Sequence, residues 1–360
     1  MRRVVNAAGH LSALGGSVLS PAVRAAMDDA ATRYVDVRAL AAEAEAEIAR
    51  LCGAESAYVT AGAAAGIAIA VAGCVTRGDA ALARQVPSVD TPWREVVVQA
   101  GHLIDFGATV EQMVALGGGV VRPVGTREAV TPRDLEAALG ERSACLLWVQ
   151  SHHTRENTSL PLQTCLEAAR RRAVPFVMDC AAEEDLQAYT ALGADLVLYS
   201  GTKAIGAPVS GIIAGREPFV SWCRAQSRGI ARAMKVGKEQ IAGLMAALRE
   251  YAARDPQAEA KRQERLLAAL GDGLRDLPGI DLLLVEDEAG RPIRRLALRT
   301  SPESARALAQ ALAAGDPAVY TRPHRLEEGL VQFDPRCLSE ADVAAVVAAV
   351  RQAWSGGGPA

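Results

Sequence analysis

The chain has 360 residues, half of them apolar but only 4% aromatic, a composition that favours alanine-rich helices on a sheet over an aromatic β-sandwich and gives room for a large domain with a smaller one appended. Its formal net charge of −3, with 39 basic residues scattered among 42 acidic ones, excludes the basic field that a nucleic-acid backbone requires. Seven cysteines without close pairing exclude a disulfide framework or a CxxC metal site, and no apolar run reaches membrane-spanning length, so a cytoplasmic protein with no metal, membrane or nucleic-acid partner is expected.

In chain order, residues 1–19 read as a glycine-rich, irregular arm, and Ser20-Pro21 then opens a helix with a cap residue and a proline at its first position. A second helical run covers about 38–51 and stops before Gly53. A short strand at 57–60 runs through the small-residue turn Ala61–Gly66 into an apolar helix at 67–74. Further strands are predicted at 95–99, 120–124, 145–150, 175–179 and 196–199, with helices at 108–116, 132–139 and 163–173 between them. That alternation predicts an α/β unit with a mainly parallel sheet and crossover helices. Helices at 216–226 and 237–253 and a long charged helix at 255–272 follow. After the turn Asp276–Gly279 come short strands at 281–285, 293–299, 317–321 and 330–333 and a last helix at 339–354. The expected organisation is an arm at 1–19 near the active site, a large α/β domain at 20–253, a small α+β domain at 254–354 and a disordered tail at 355–360.

Only four of the 39 basic residues are lysines, and one of them, Lys203, lies in the turn Ser200-Gly201-Thr202-Lys203 that follows a predicted strand. A desolvated lysine can lose its proton and form an imine, which arginine cannot do, so Lys203 is the first candidate for a Schiff base. In open α/β sheets ligands collect at the carboxyl ends of the strands. One such end carries Thr60-Ala61-Gly62-Ala63, where small side chains leave backbone amides free to cradle a phosphate. Another carries Asp179, able to hold a protonated pyridine nitrogen or to cap a helix. Phosphate cradle, carboxylate and amine together match the three anchors of pyridoxal 5'-phosphate. Ser151, His152 and His153 follow the strand at 145–150, and His102 follows the strand at 95–99. Ser151 or one of the pair can reach the cofactor's phenolic oxygen or move a proton, the adjacent rings pointing apart so that at most one faces a ligand. His102 can stack on the ring or relay a proton. Arg232, Lys235 and Lys238, clustered before a helix, can take a phosphate or carboxylate, including across a subunit interface.

With these segments the chain resembles the fold-type I pyridoxal-phosphate enzymes, in the group that contains D-glucosaminate-6-phosphate ammonia-lyase and the L-seryl-tRNA selenium transferases. The resemblance spans about residues 3–350 and is carried by VNAAGHLSALGGS, AYVTAGAAAG, QAGHLIDFGA, VQSHHT, VMDCAAEEDL, YSGTKAIGAPVSG and ARAMKVGKEQIAGL. It implies a seven-stranded sheet, Lys203 as the Schiff-base lysine, and Asp179 as the pyridinium partner. Gly62 and Ala63 become part of the phosphate cradle, with Thr60, Ala61, Ser151, Ser200 and Lys235 also contributing to cofactor binding. It implies a homodimer or larger homo-oligomer as well.

The expected reaction is α-proton abstraction and β-elimination on an amino acid or amino-sugar acid, releasing ammonia and a keto acid, with Arg322 as the anchor of the substrate carboxylate. Racemisation, transamination and selenium or sulfur transfer to a seryl substrate start from the same chemistry and stay open, as does a regulatory cofactor-binding role without catalysis.

Overall fold

Alternating apolar strands and helices produce twelve strands in the computed structural model, which describes residues 2–154 and 158–355. They are β1 (Val4–Ala7), β2 (Ser56–Thr60), β3 (Glu95–Gln99), β4 (Val120–Val124), β5 (Ser143–Val149), β6 (Phe176–Asp179), β7 (Leu196–Ser200), β8 (Gly211–Gly215), β9 (Asp281–Glu286), β10 (Arg294–Arg299), β11 (Ala318–Thr321) and β12 (Leu330–Phe333). The chain divides into two units, one of residues 18–252 and one that joins the chain up to Ser17 with the chain from Ala253 onward.

The larger unit is built on a seven-stranded sheet in the order β2-β8-β7-β6-β5-β3-β4. All its pairings are parallel except those of β8, which runs antiparallel to both β2 and β7. Every residue of β5 is buried, as a strand covered on both faces requires. Alternate side chains feed two separate cores: Leu146, Phe176, Met178, Val197 and Tyr199 enter one, and Leu147, Val177, Leu196 and Leu198 the other. The helix Ala63–Thr76 lies in the second core with all but two of its 14 residues buried. Inspection of the sequence begins this helix four residues late. Alanine's helix propensity carries it back to Ala63, and Gly62, at φ +154°, stops it there. The residue pattern also passes over β8, whose five residues, Gly-Ile-Ile-Ala-Gly, are too short and too glycine-rich to read as a strand by themselves. Ser20 caps the first helix as its sequence predicts, its hydroxyl accepting from the Val23 amide at 3.1 Å.

The smaller unit contains a three-stranded antiparallel sheet, β12-β10-β9, and a parallel pair, β1 with β11. The arm at 1–19 is therefore not irregular throughout: Val4–Ala7 pairs with Ala318–Thr321. Its core packs Leu266, Leu270, Leu298, Val319, Val331 and Phe333, with helices Pro256–Leu274 and Glu340–Ser355 contributing. Beside it lies a buried ion-pair network. Arg295 is fully buried and donates to Asp334 at 2.8 Å and Asp287 at 2.6 Å. Arg291 and Arg336 hold the Asp287 and Asp334 carboxyls well below the usual range against the opposing effect of burial. Gly9, at φ +84°, rests on this network, where a Cβ would lie 2.8 Å from the Asp334 carboxylate. Of the expected disordered tail, Ser355 closes the last helix and 356–360 lie outside the described residues.

Removing one partner from a buried ion pair leaves an uncompensated charge, so Asp334→Ala is expected to cost about 3–5 kcal/mol. Urea unfolding followed by far-UV circular dichroism, with Asp334→Asn as the milder comparison, measures it.

Candidate active site

The strands β2, β6 and β7 end at the same edge of the large sheet, since two antiparallel pairings through β8 return β2 to the direction of β7. At that edge Thr60, Asp179 and Ser200 close their strands. β6 and β7 are neighbours, so the carboxylate of Asp179 and the turn carrying Lys203 stand on adjacent strand ends.

Asp179 is buried, and its Oδ1 accepts from the Ala181 amide at 3.2 Å. Burial raises its carboxyl above the ordinary value, while the charge of Lys203 and the Ala181 amide pull the other way. Lys203 is half-buried in the turn Gly201–Ile205, where its own backbone (φ −98°, ψ −117°) breaks the helical run. That turn is tied to β8: the Gly201 amide donates to Ser210 O at 2.9 Å and the Ala207 amide to Gly201 O at 2.7 Å. A Cβ on Gly201 would fall 2.2 Å from Ser210 Oγ, so only glycine fits. Gly211, next along, packs so closely on the cradle that a Cβ would lie 2.5 Å from the carbonyl carbon of Gly62. Ser210 and Gly211 thus join the amine-bearing turn to the Thr60–Ala63 turn. Neither is singled out by the sequence; the signal available was a short apolar run bracketed by glycines.

The cradle itself is the amino end of helix Ala63–Thr76, which no side chain among the described residues caps. Open space adjoins this turn: a Cβ built on Gly62 meets nothing within 4 Å. Ala61 and Gly62 are half-buried and Ala63 is buried. Thr60 is placed differently from its expected role as a ligand contact. It is fully buried, and its hydroxyl donates to Gly62 O at 3.0 Å, fixing the turn from beneath. Ser200 Oγ pairs with Thr202 Oγ1 at 3.1 Å.

His102 is buried, its ring edge-on to Trp148 with centroids 4.4 Å apart. Its Nδ1 accepts from the Val149 amide at 3.1 Å, which places the proton of the neutral ring on Nε2. Burial pushes its pKa down to about 4. The ring therefore rests neutral near pH 7, presenting a flat face beside the strand ends. The expectation that His152 and His153 point apart is also overturned. They lie on the 3-10 turn His152–Thr154, past the end of β5, where strand alternation no longer applies, and their rings sit 4.0 Å apart at 37°. Ser151 Oγ accepts from the His153 amide at 3.3 Å. Lys238 is committed to the Arg33 carbonyl, whereas Arg232 and Lys235 are exposed. Arg322 lies in the smaller unit, buried and paired with Glu288 at 3.3 Å.

These groups fit pyridoxal 5'-phosphate: uncapped helix amides suit its phosphate, a buried carboxylate its ring nitrogen, and a lysine on the next strand end its aldehyde. A mainly parallel sheet bearing them at one edge defines a fold-type I pyridoxal-phosphate enzyme.

The sequence profile of the L-seryl-tRNA selenium transferases matches residues 4–276. D-glucosaminate-6-phosphate ammonia lyase of Salmonella typhimurium is 38% identical over 356 residues, covering 98% of this chain and 95% of that protein. A solved structure of D-glucosaminate-6-phosphate ammonia-lyase superposes with a TM-score of 0.89 at 37% identity, covering 99% of this chain and 96% of that one. 5'-C-glycyluridine monooxygenase-decarboxylase of a Streptomyces species is 40% identical over 342 residues, or 93% of this chain and 86% of that protein. The chain belongs to the L-seryl-tRNA selenium transferase family, and it is a pyridoxal-phosphate-dependent lyase.

The depressed pKa of His102 makes a stability prediction. Its folded value of about 4 lies below 6.5, so the unfolded chain takes up the proton first, and stability present above pH 6.5 is lost as pH falls toward 4. Between pH 7 and 5 the wild type is expected to lose about 2 kcal/mol more than His102→Gln. Urea unfolding of both proteins at the two pH values reads the difference.

Proposed function

We propose that the chain is an ammonia-lyase for an amino acid or amino-sugar acid, with D-glucosaminate 6-phosphate as the first substrate to test. The placement of Asp179 and Lys203 on adjacent strand ends, beside the uncapped amides of helix Ala63–Thr76, carries the reading. The bound cofactor supplies an electron sink for the pair left behind when a proton leaves the substrate's α-carbon. Lys203 would hold the cofactor through its amine, and the same amine would take the proton from the substrate's α-carbon. Asp179, raised by burial and restrained by the charge of Lys203, would hold the ring nitrogen and keep a proton there. The amides around Gly62 and Ala63 bind the phosphate, with Ala61 small enough to leave them open. Thr60 holds the shape of that turn through Gly62 O. His102 would offer its neutral face to the ring, and Ser151, Ser200, His152 or His153 would serve the cofactor's oxygens and the departing group. Loss of the β-substituent, followed by hydrolysis of the eliminated product by one water molecule, would then give ammonia and a keto acid.

In the same reading Arg322 anchors the substrate carboxylate, and exposed Lys235, with Arg232, meets a phosphate or carboxylate in a homodimer or larger homo-oligomer. Exposed Val18, Tyr34 and Val209 suit burial between copies. No helix among the described residues is long and apolar enough to cross a membrane, and free cysteines suit a cytoplasmic enzyme.

The 40% identity to the Streptomyces enzyme favours one second reading, oxygen-dependent decarboxylation. A substrate panel run with and without oxygen, scored for ammonia, keto acid, carbon dioxide and inverted enantiomer, separates it from elimination, transamination and racemisation. Ammonia release without oxygen is the expected result.

Purified protein supplied with the cofactor is expected to show a visible absorption band that Lys203→Ala removes. Asp179→Ala is expected to lower kcat by at least about 100-fold, since the ring nitrogen loses its charged partner. Spectra together with ammonia release test both; wild-type protein with no band would end the reading.

A further inference from the structure

The buried network of the smaller unit contains four arginines whose Nε and Nη2 groups form an edge suited to two parallel bonds with a carboxylate. Arg291 fills this edge against Asp287, with both bonds at 2.9 Å. Arg336 fills it against Asp334 at 2.9 and 2.8 Å. Arg295 divides it between Asp334 at 2.8 Å and Asp287 at 2.6 Å. Arg322 does not fill it. Its Nη2 reaches Glu288 Oε2 at 3.3 Å, while Nε is buried without a hydrogen-bond partner among the described residues. The side chain is only 3% exposed, so water does not replace the missing bond cheaply.

Glu288 is also the loosest carboxylate in the network. Besides its own backbone amide, it meets Gln332 Nε2 at 3.4 Å and Arg295 Nη1 at 3.6 Å. Its side chain is 24% exposed where those of Asp287 and Asp334 are fully buried. It stands on the turn joining β9 to β10, with Gly290 at φ +75° two residues on, so it can swing outward without disturbing a strand.

We propose that Glu288 is a displaceable internal counter-ion for Arg322, occupying half of a carboxylate fork that an incoming carboxylate fills with both bonds. A buried guanidinium with no counter-charge would be costly, and one tightly paired would be closed to ligands. A single long contact satisfies the charge and leaves the edge available, which makes Glu288 a residue that sets affinity for the substrate's carboxylate. That last step rests on the reading of Arg322 as the substrate anchor.

The experiment uses the full chain loaded with cofactor and acetate as probe, with chloride replaced by acetate at constant ionic strength and the thermal midpoint recorded. A saturable rise is expected for the wild type. In Glu288→Gln the half-saturating acetate concentration is expected to fall about tenfold, the competitor having lost its charge. Arg322→Lys, which keeps the charge but not the fork, is expected to abolish the rise. Should Glu288→Gln not fold, Glu288→Asp, whose shorter side chain withdraws from Nη2, is expected to shift the concentration in the same direction. Acetate acting no better than chloride, or equally on wild type and both Glu288 variants, overturns the proposal. The midpoint needs no turnover, so the two readings fail separately. An unchanged KM in Arg322→Lys, with the acetate shift between wild type and Glu288→Gln as expected, removes only the substrate anchor, and a raised KM in Arg322→Lys with no such shift between wild type and Glu288→Gln removes only the counter-ion.

Discussion

The absence of a side chain on Gly211 fixes the geometry of the whole strand-end edge. Backbone meets backbone there: a single methyl group would fall 2.5 Å from the Gly62 carbonyl carbon and 2.6 Å from Thr60 Oγ1. Because β8 is antiparallel to both its neighbours, this contact and the Gly201–Ser210 bond lie at one end of it. The turn that carries the amine and the turn that presents the helix amides are therefore held by one short strand. Their separation is set by backbone packing, which is stiffer than any arrangement of flexible side chains.

Around this frame the electrostatics are arranged by burial. Asp179 is withdrawn from water and has the lysine on the neighbouring strand as its nearby charge, so its ionisation responds to what fills the edge. His102 is driven the opposite way by the same cause, toward a ring that stays neutral near pH 7. One group stays responsive to charge while the other rests neutral. A helix that is apolar on nearly every face adds a third element, since the amides at its amino end have no side-chain cap and favour an anion.

Much of this was legible in the residues. Five parallel strands announce themselves as apolar runs bounded by turns, and Lys203 and Asp179 stand out because each follows such a run. Small residues at 61–63 point to a backbone cradle for the same reason. What escaped was set by tertiary contact. β8 is recognisable only through its neighbours on both sides, and Val4–Ala7 becomes a strand only because residues 318–321 lie beside it. The His152–His153 pair shows the limit of periodicity, since alternation is a property of strands and the strand stops at Val149. Thr60 could not be told from a ligand contact because the direction of its hydroxyl depends on a turn conformation. The half-filled edge of Arg322 depends on the angular fit of one carboxylate among several, which no spacing encodes.

The pairing of β1 with β11 also sets an order of assembly. Residues 18–252 are continuous and can close both their cores while the rest of the chain is still being made. The smaller unit cannot, because its first strand leaves the ribosome more than 300 residues before the strand it must join. During that interval the apolar side chains of Val5 and Ala7, fully buried in the finished protein, have no native partner. The second unit to be completed is thus the one whose beginning was synthesised first.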